Sequence, residues 1–135
     1  MPVHIKRVYE PASSNDGYRV LIDRLWPRGV KKEPLQLTSW VREASPTTKL
    51  RKWFNHEPEK WPEFRKRYFG ELASEPEAWK PLLEAAQRGK ITLLFSAHDS
   101  DHNNAVALAE FLEGRLKPRT IRKANPALAK NGGRS

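Results

Sequence analysis

The sequence predicts a compact three-layer α/β domain with a small, mainly parallel central sheet flanked by helices. Its 135 residues are the length of one ordinary domain. Residues 91–95 (ITLLF) form a β-type run without polar alternation, which is typical of a strand covered on both faces. Strand patterns are followed by helical patterns along the chain, as in layered α/β proteins. We therefore predict a single α/β domain over residues 1–116.

Two strands are predicted near the N-terminus. Residues 3–9 (VHIKRVY) are short, rich in β-branched side chains and mixed in polarity, which indicates an edge strand. Residues 11–17 (PASSNDG) are dense in turn formers and end it. Residues 18–25 (YRVLIDRL) predict a second strand, which leads into the polar turn 23–29. Residues 40–44 predict a short third strand.

Two helices should follow. Residues 45–46 (SP) combine a hydroxyl N-cap with proline at the first helical position. Leu50, Trp53 and Phe54 then fall at i, i+3 and i+4, the spacing of one buried stripe. Residues 57–73 predict the second helix, with aromatic residues along one face.

The last elements alternate helix, strand and helix. Ser74 and Glu77 have the spacing of a capping box, and the helix that they start should end at Gly89. The strand at 91–95 comes next. After a polar loop, residues 101–112 predict a helix whose alanines and leucines face the sheet.

The net charge of +9 is unevenly distributed. Residues 115–135 carry seven basic side chains and no acidic one, which leaves 18 basic against 16 acidic residues in 1–114. The body of the protein is therefore nearly neutral. We expect residues 117–135 to be a basic, partly disordered C-terminal tail that binds nucleic acid weakly and without sequence specificity.

The composition also excludes several classes of protein. The chain has no cysteine, which excludes disulfides, thiolate zinc sites and iron–sulfur ligation. It has no apolar stretch of about 20 residues for a bilayer span, and its charged N-terminus is unlike a signal peptide. We expect a cytoplasmic protein with no membrane partner, no metal and no cofactor.

Two polar segments are predicted to leave neighbouring strand ends, where α/β proteins bind ligands. The first is 23–29 (DRLWPRG), in which Arg24 and Arg28 can form a fork for a carboxylate or phosphate. The alternative is an internal ion pair with Asp23 or with Asp99.

The second segment is 96–104 (SAHDSDHNN), at the start of a helix. Backbone N–H groups and the helix dipole can bind an anion there. Alternatively, Asp99 and its neighbours cap their own helix. His102 projects toward the sheet-facing sector, where it is either a buried neutral side chain or a catalytic one.

A third cation comes from the helix at 57–73. On a helical wheel Arg65 lies inside the stripe that holds Trp61 and Tyr68, where a charged residue needs a partner. Most of the aromatic residues here are expected to form core, but Trp26 could stack a planar ring beside the arginines. His56 either caps its helix or reaches the same cleft.

Three segments together resemble one known family: IDRLWPRG (22–29), WFNHEPEKWPEFRKRY (53–68) and TLLFSAHDSDHNNAVALAEFL (92–112). This is the YeaO-like family of small prokaryotic proteins, and the resemblance runs from about residue 5 to 116. It implies a stand-alone cytoplasmic α/β domain and brings no established reaction. Where the family loop usually reads Ser-Ala-Lys/Arg-Asp, this chain has His98, which supplies a positive charge only when protonated.

The predicted function is binding of a small anionic or nucleotide-like ligand in an arginine-lined pocket at the carboxyl ends of the strands. The ligand-binding candidates are Arg24, Trp26, Arg28, His56, Arg65, Tyr68, Ser96, His98 and Asn103. If the protein is an enzyme, Asp99 or His102 is the acid–base candidate. The alternative is a nucleic-acid- or protein-binding module that uses the basic tail and residues 49–67.

Overall fold

The fold is built on a four-stranded parallel sheet. A computed structural model describes residues 3–116. The strands are β1 (Val3–Arg7), β2 (Tyr18–Leu21), β3 (Ser39–Trp40) and β4 (Ile91–Phe95), in the order β1-β4-β2-β3. All three pairings are parallel, which confirms the predicted α/β class and places β1 at an edge.

Five α-helices occur within the described residues. They are α1 (Lys32–Leu35), α2 (Thr48–Phe54), α3 (Trp61–Ala73), α4 (Pro76–Arg88) and α5 (Asn104–Leu116). The side chains of α2 to α5 form one core against the sheet, and α1 contributes to a smaller core on the opposite face. None of these helices is long and apolar enough to cross a membrane.

Strand β4 is central, as its sequence predicts. All five of its residues are buried. Leu93 and Phe95 pack into the core formed by α2 to α5, whereas Leu94 belongs to the core of the other face together with Leu35. Strands β1 and β2 pair with the two edges of β4, and the two cores cover its two faces.

Two predicted boundaries in the first half were wrong. The strand predicted at 40–44 is only Ser39–Trp40, and a 3-10 turn occupies Arg42–Ala44. The Ser45 hydroxyl closes this turn by donating to the Arg42 carbonyl at 2.6 Å. The helix start predicted at residues 45–46 was the second wrong boundary. Helix α2 is capped by Thr47, whose hydroxyl oxygen accepts the N–H of Leu50 at 3.2 Å.

The predicted capping box at Ser74 was also wrong. The Ser74 hydroxyl donates to carbonyls in the last turn of α3, at Gly70 and Glu71, and so completes the helix that ends before it. Helix α4 starts after Glu75 without a side-chain cap. The predicted basic tail at 117–135 lies outside the described residues.

Candidate functional site

A cleft of about 630 Å³ opens at the carboxyl ends of β2 and β4. The chain leaving β2 leads to α1 on one face of the sheet, while the chain leaving β4 enters α5, which packs on β1 and β4 on the other face. Because the two connections diverge, a crevice remains between them, the usual ligand position in open α/β sheets. Of the predicted ligand-binding residues, those that line it are Arg24, Trp26, Arg28, His56, Ser96, His98 and Asn103.

Asp23 joins the two polar segments at the cleft. Its carboxylate accepts the backbone N–H of Ser96 at 3.0 Å and the Ser96 hydroxyl at 2.6 Å. The side-chain amide of Asn104 donates to it at 3.4 Å. Burial raises the pKa of Asp23 above its ordinary value even though these hydrogen bonds favour the charged form. From the sequence Asp23 was predicted only as an ion-pair partner, whereas in the structure its carboxylate holds Ser96 in the cleft wall through two hydrogen bonds.

Three arginines line the cleft without a carboxylate partner. Within residues 3–116, no carboxylate oxygen lies within 4.0 Å of Arg24, Arg28 or Arg51. Arg24 makes two long hydrogen bonds, to the carbonyls of Pro46 at 3.3 Å and Ser45 at 3.4 Å. The internal ion pair considered as an alternative is therefore not formed. Arg51 was not predicted, because its position in α2 is typical of an ordinary surface residue.

Asp99 and His102 form a hydrogen-bonded pair in the cleft wall. Asp99 Oδ1 accepts the backbone N–H groups of Asp101 at 2.9 Å and His102 at 3.0 Å, and Oδ2 lies 2.9 Å from His102 Nδ1. The Asp101 N–H, followed by the His102 ring, holds the pKa of Asp99 below its ordinary value. The edge of the His102 ring system meets Trp61, with ring centroids 5.4 Å apart and planes at 80°.

The turn before α5 decides which residue caps this helix and where His102 lies. Asn103 is buried, and its Oδ1 accepts the N–H of Val106 at 3.0 Å, so Asn103 is the residue that caps α5. Its amide donates to the Asp99 carbonyl at 2.8 Å. Asp99 thus caps the turn and Asn103 the helix. His102 lies before the helix, so the helical-wheel projection that turned it toward the sheet does not apply to it.

The cleft also has an apolar side. Phe54 and Phe64 are buried residues of its lining, with ring centroids 4.5 Å apart. Trp26 is held by an N–H···O bond to the Val30 carbonyl at 2.8 Å. Leu25 is 67% exposed at the cleft, where an apolar part of a ligand could cover it.

Two predicted ligand-binding residues lie outside the cleft lining. Arg65 forms a two-point ion pair with Glu110 of α5, with 3.0 Å between Nε and Oε1, and its guanidinium lies over the Phe69 ring. Tyr68 is fully buried, and its hydroxyl donates to the Ala44 carbonyl. Burial raises the pKa of Tyr68 far above its ordinary value. Both residues stabilise the helical layer.

His56 and His98 lie exposed at the cleft. His56 adopts a left-handed conformation with φ 57°, directly after Asn55 with φ 50°, so the chain turns sharply where α2 ends. Among the described residues, no group of three or more histidine or carboxylate side chains is placed to hold a metal ion. The cleft therefore offers a ligand mainly guanidinium groups, aromatic rings and imidazole rings.

Comparison with known proteins gives a family. The profile of a family described as "Inactive DUF488-N3 subclade" matches residues 2–129. The chain is 46% identical over 112 residues to the uncharacterized protein YeaO of Escherichia coli, a match that covers 83% of this chain and 97% of that protein. It is 35% identical over 113 residues to the uncharacterized proteins Mb3100c of Mycobacterium bovis and Rv3073c of Mycobacterium tuberculosis, covering 84% of this chain and 95% of each. No solved structure matches the chain significantly. The chain therefore belongs to the YeaO-like family, within the DUF488-N3 subclade described as inactive.

Proposed function

We propose that the cleft binds a small anionic ligand, a phosphorylated, carboxylated or nucleotide-like compound, and that its role is binding rather than turnover. The observation that carries this proposal is the presence of Arg24, Arg28 and Arg51 on one cleft without a carboxylate within 4.0 Å in the described chain. The description of the matching family as inactive favours binding over catalysis.

Some arginines outside the cleft are paired with carboxylates. Arg19 forms an ion pair with Asp16, and Arg65 forms one with Glu110. The carboxylates nearest the cleft are occupied by other donors: Asp23 by Ser96, and Asp99 by backbone N–H groups and a histidine ring. Within residues 3–116 the side chains of Arg28 and Arg51 make no hydrogen bond, and Arg24 makes only its two long ones to carbonyls, so donors remain for an external acceptor. A planar guanidinium matches the geometry of a carboxylate or phosphate with two parallel hydrogen bonds.

The apolar side of the cleft restricts the ligand further. The lining includes the buried Phe54 and Phe64 and also Leu25 and Trp26. A compound that joins an anionic group to a ring or carbon skeleton buries more apolar surface here than a bare inorganic anion does. Phosphate esters and nucleotides have this form.

The test is a thermal-shift panel on the full chain with nucleotides, sugar phosphates and small carboxylates. A ligand at about 100 times its dissociation constant stabilises the folded state by about 2.7 kcal/mol, a readily visible shift. Arg28→Ala should abolish the shift. Arg88→Ala is the matched control, because Arg88 is exposed at the end of α4, outside the cleft. Equal shifts in both variants, or no shift with any compound, would reject the proposal.

Acid–base catalysis by Asp99 and His102 stays a prediction. Their hydrogen-bonded geometry is that of an imidazole oriented by a carboxylate, which general-base catalysis uses. Any compound found in the panel can be incubated with the protein and followed by ³¹P or ¹H NMR. Conversion that is lost in His102→Phe would establish an enzyme in place of a binding protein.

A binding module that uses the basic tail is the second candidate. It is supported by the charge of residues 115–135, which holds most of the net charge of the chain. This candidate predicts nucleic-acid affinity that falls steeply with salt. Replacing Arg119, Arg122 and Lys123 with alanine in the full chain should abolish such binding without changing the thermal shift given by small anions.

A further inference from the structure

We infer that the ligand of the cleft carries an O–H or N–H hydrogen-bond donor beside its anionic group, and that His102 Nε2 accepts this hydrogen bond. The inference rests on the proposed function, since it describes a second group of the same ligand, beside its anionic group. It makes His102 a specificity-determining residue and Asp99 the residue that positions it.

The tautomer of His102 follows from the hydrogen bonds of Asp99. Asp99 Oδ1 is held by two backbone N–H groups, from Asp101 and His102, so its carboxylate has one orientation. These contacts keep the carboxylate ionised, as the lowered pKa of Asp99 also indicates. An ionised carboxylate only accepts hydrogen bonds. The proton of a neutral His102 therefore lies on Nδ1, and Nε2 carries a lone pair.

The ring is also fixed in direction. Nδ1 lies 2.9 Å from Asp99 Oδ2, and the ring packs against Trp61 in an edge-to-face arrangement. His102 lines the cleft, and within residues 3–116 its Nε2 has no hydrogen-bond partner. Its side chain is 32% exposed, so a ligand in the cleft can reach it.

Two other side-chain acceptors on the cleft wall already accept hydrogen bonds, whereas Asn104 Oδ1 accepts none within the described residues. Asp23 accepts from Ser96 and Asn104, and Asn103 Oδ1 accepts from the backbone of α5. The arginines are donors only. Within the described chain, His56 and His98 have no carboxylate within 4.0 Å that fixes their tautomer. His102 Nε2 is thus the imidazole acceptor of the cleft whose direction a carboxylate fixes, and it selects a ligand group with a hydrogen to donate.

The test compares glycerol phosphate with propyl phosphate, which share the anion and the three-carbon chain and differ in hydroxyl groups. The measurement is isothermal titration calorimetry on the full chain at about pH 8, above the ordinary pKa of an imidazole. One neutral hydrogen bond contributes about 1 kcal/mol, so glycerol phosphate should bind about fivefold more tightly to the wild type. The ratio should fall to about one in His102→Phe, which keeps a ring against Trp61.

Two further variants sharpen the result. Asp99→Asn keeps an oxygen for the backbone N–H groups but presents an amide to Nδ1, which moves the ring proton to Nε2 and should abolish the preference for glycerol phosphate. His4→Phe is the control, because His4 lies exposed on β1 and does not line the cleft. ¹⁵N NMR of the histidine rings, assigned with His102→Phe, should show the Nδ1–H tautomer in the wild type.

The outcomes separate the two proposals. Equal affinity of the wild type for both compounds, or a ratio unchanged in His102→Phe, would overturn the inference and leave anion binding intact. An Nε2–H tautomer in the NMR spectrum would overturn it without reference to any ligand. Failure of both phosphate esters to bind the wild type would overturn the inference for phosphate esters, whereas the thermal-shift panel decides the proposed function.

Discussion

Asp23→Ala should destabilise the protein because it removes the hydrogen bonds that join the segment after β2 to the segment after β4. Two hydrogen bonds from Ser96, at 3.0 and 2.6 Å, end on this carboxylate. Hydrogen bonds to a charged group contribute about 1.5–3 kcal/mol each, so their gross loss is about 3–6 kcal/mol. Removing a largely buried charge offsets part of this loss. We expect a net decrease in the free energy of unfolding of about 2–3 kcal/mol.

Chemical denaturation followed by circular dichroism measures this change, and a thermal scan should show a decrease in Tm of about 8 °C. Asp23→Asn keeps one side-chain oxygen for Ser96 and should lose less than about 1 kcal/mol. Asp101→Ala is the control, because Asp101 is exposed and its side chain has no hydrogen-bond partner in the described residues. A loss below about 0.5 kcal/mol in Asp23→Ala, or equal losses in the alanine and asparagine variants, would refute this reasoning.

The pH dependence of the free energy of unfolding is a second test of the role of Asp23. Burial raises the pKa of Asp23 in the folded state, so the unfolded chain releases this proton at a lower pH than the folded one does. Stability from this group is therefore fully present below about pH 3.9 and falls as pH rises toward the raised pKa. Asparagine does not titrate. The stability difference between wild type and Asp23→Asn should thus shift in favour of the variant as pH rises through that window, whereas a pH-independent difference would contradict a raised pKa.

Two further predictions concern the residues that lie outside the cleft lining. Arg65→Ala should lower the free energy of unfolding by less than about 1 kcal/mol, because its ion pair with Glu110 is solvent-exposed; urea denaturation measures this. Tyr68→Phe should lower it by about 1–2 kcal/mol, because the buried Ala44 carbonyl loses its hydroxyl donor. Calorimetric titration should give unchanged ligand affinity in both variants, and a tenfold loss in either would place that residue in the binding site.

The parallel sheet could be predicted because its central strand has an unmistakable local pattern. Residues 91–95 do not alternate between apolar and polar side chains, which is the pattern of a strand buried on both faces. Helix starts were harder, because several residues near each start can act as caps. Between Asp99 and Asn104 every residue but one has a side chain common at N-caps. The contacts across the turn, which sequence does not contain, made Asn103 the cap and moved the start of α5 past His102.

The candidate site was predicted where it depends on strand ends and missed where it depends on helix packing. Arg24 and Arg28 lie in the segment that follows β2, and the end of that strand brings this segment to the cleft. For Arg65 the helical wheel gave an angle on α3 but not the neighbour at that angle, which is Glu110 of α5. Arg51 had no local signal, since its place in the cleft depends on how α2 packs beside the loop that follows β2.

The charges of the cleft connect its folding to its function. Within residues 3–116, the three arginines of the cleft have no carboxylate partner, and their like charges repel each other. The Arg51 charge also lowers the pKa of Asp23 against the effect of burial. An anion in the cleft would relieve the repulsion and add hydrogen bonds, so binding and stability rise together. Replacing Arg28 removes repulsion in the free protein while it removes a donor for the ligand. The two effects have opposite signs. If Arg28→Ala is as stable as the wild type without ligand but is not stabilised by ligand, Arg28 serves binding and not folding.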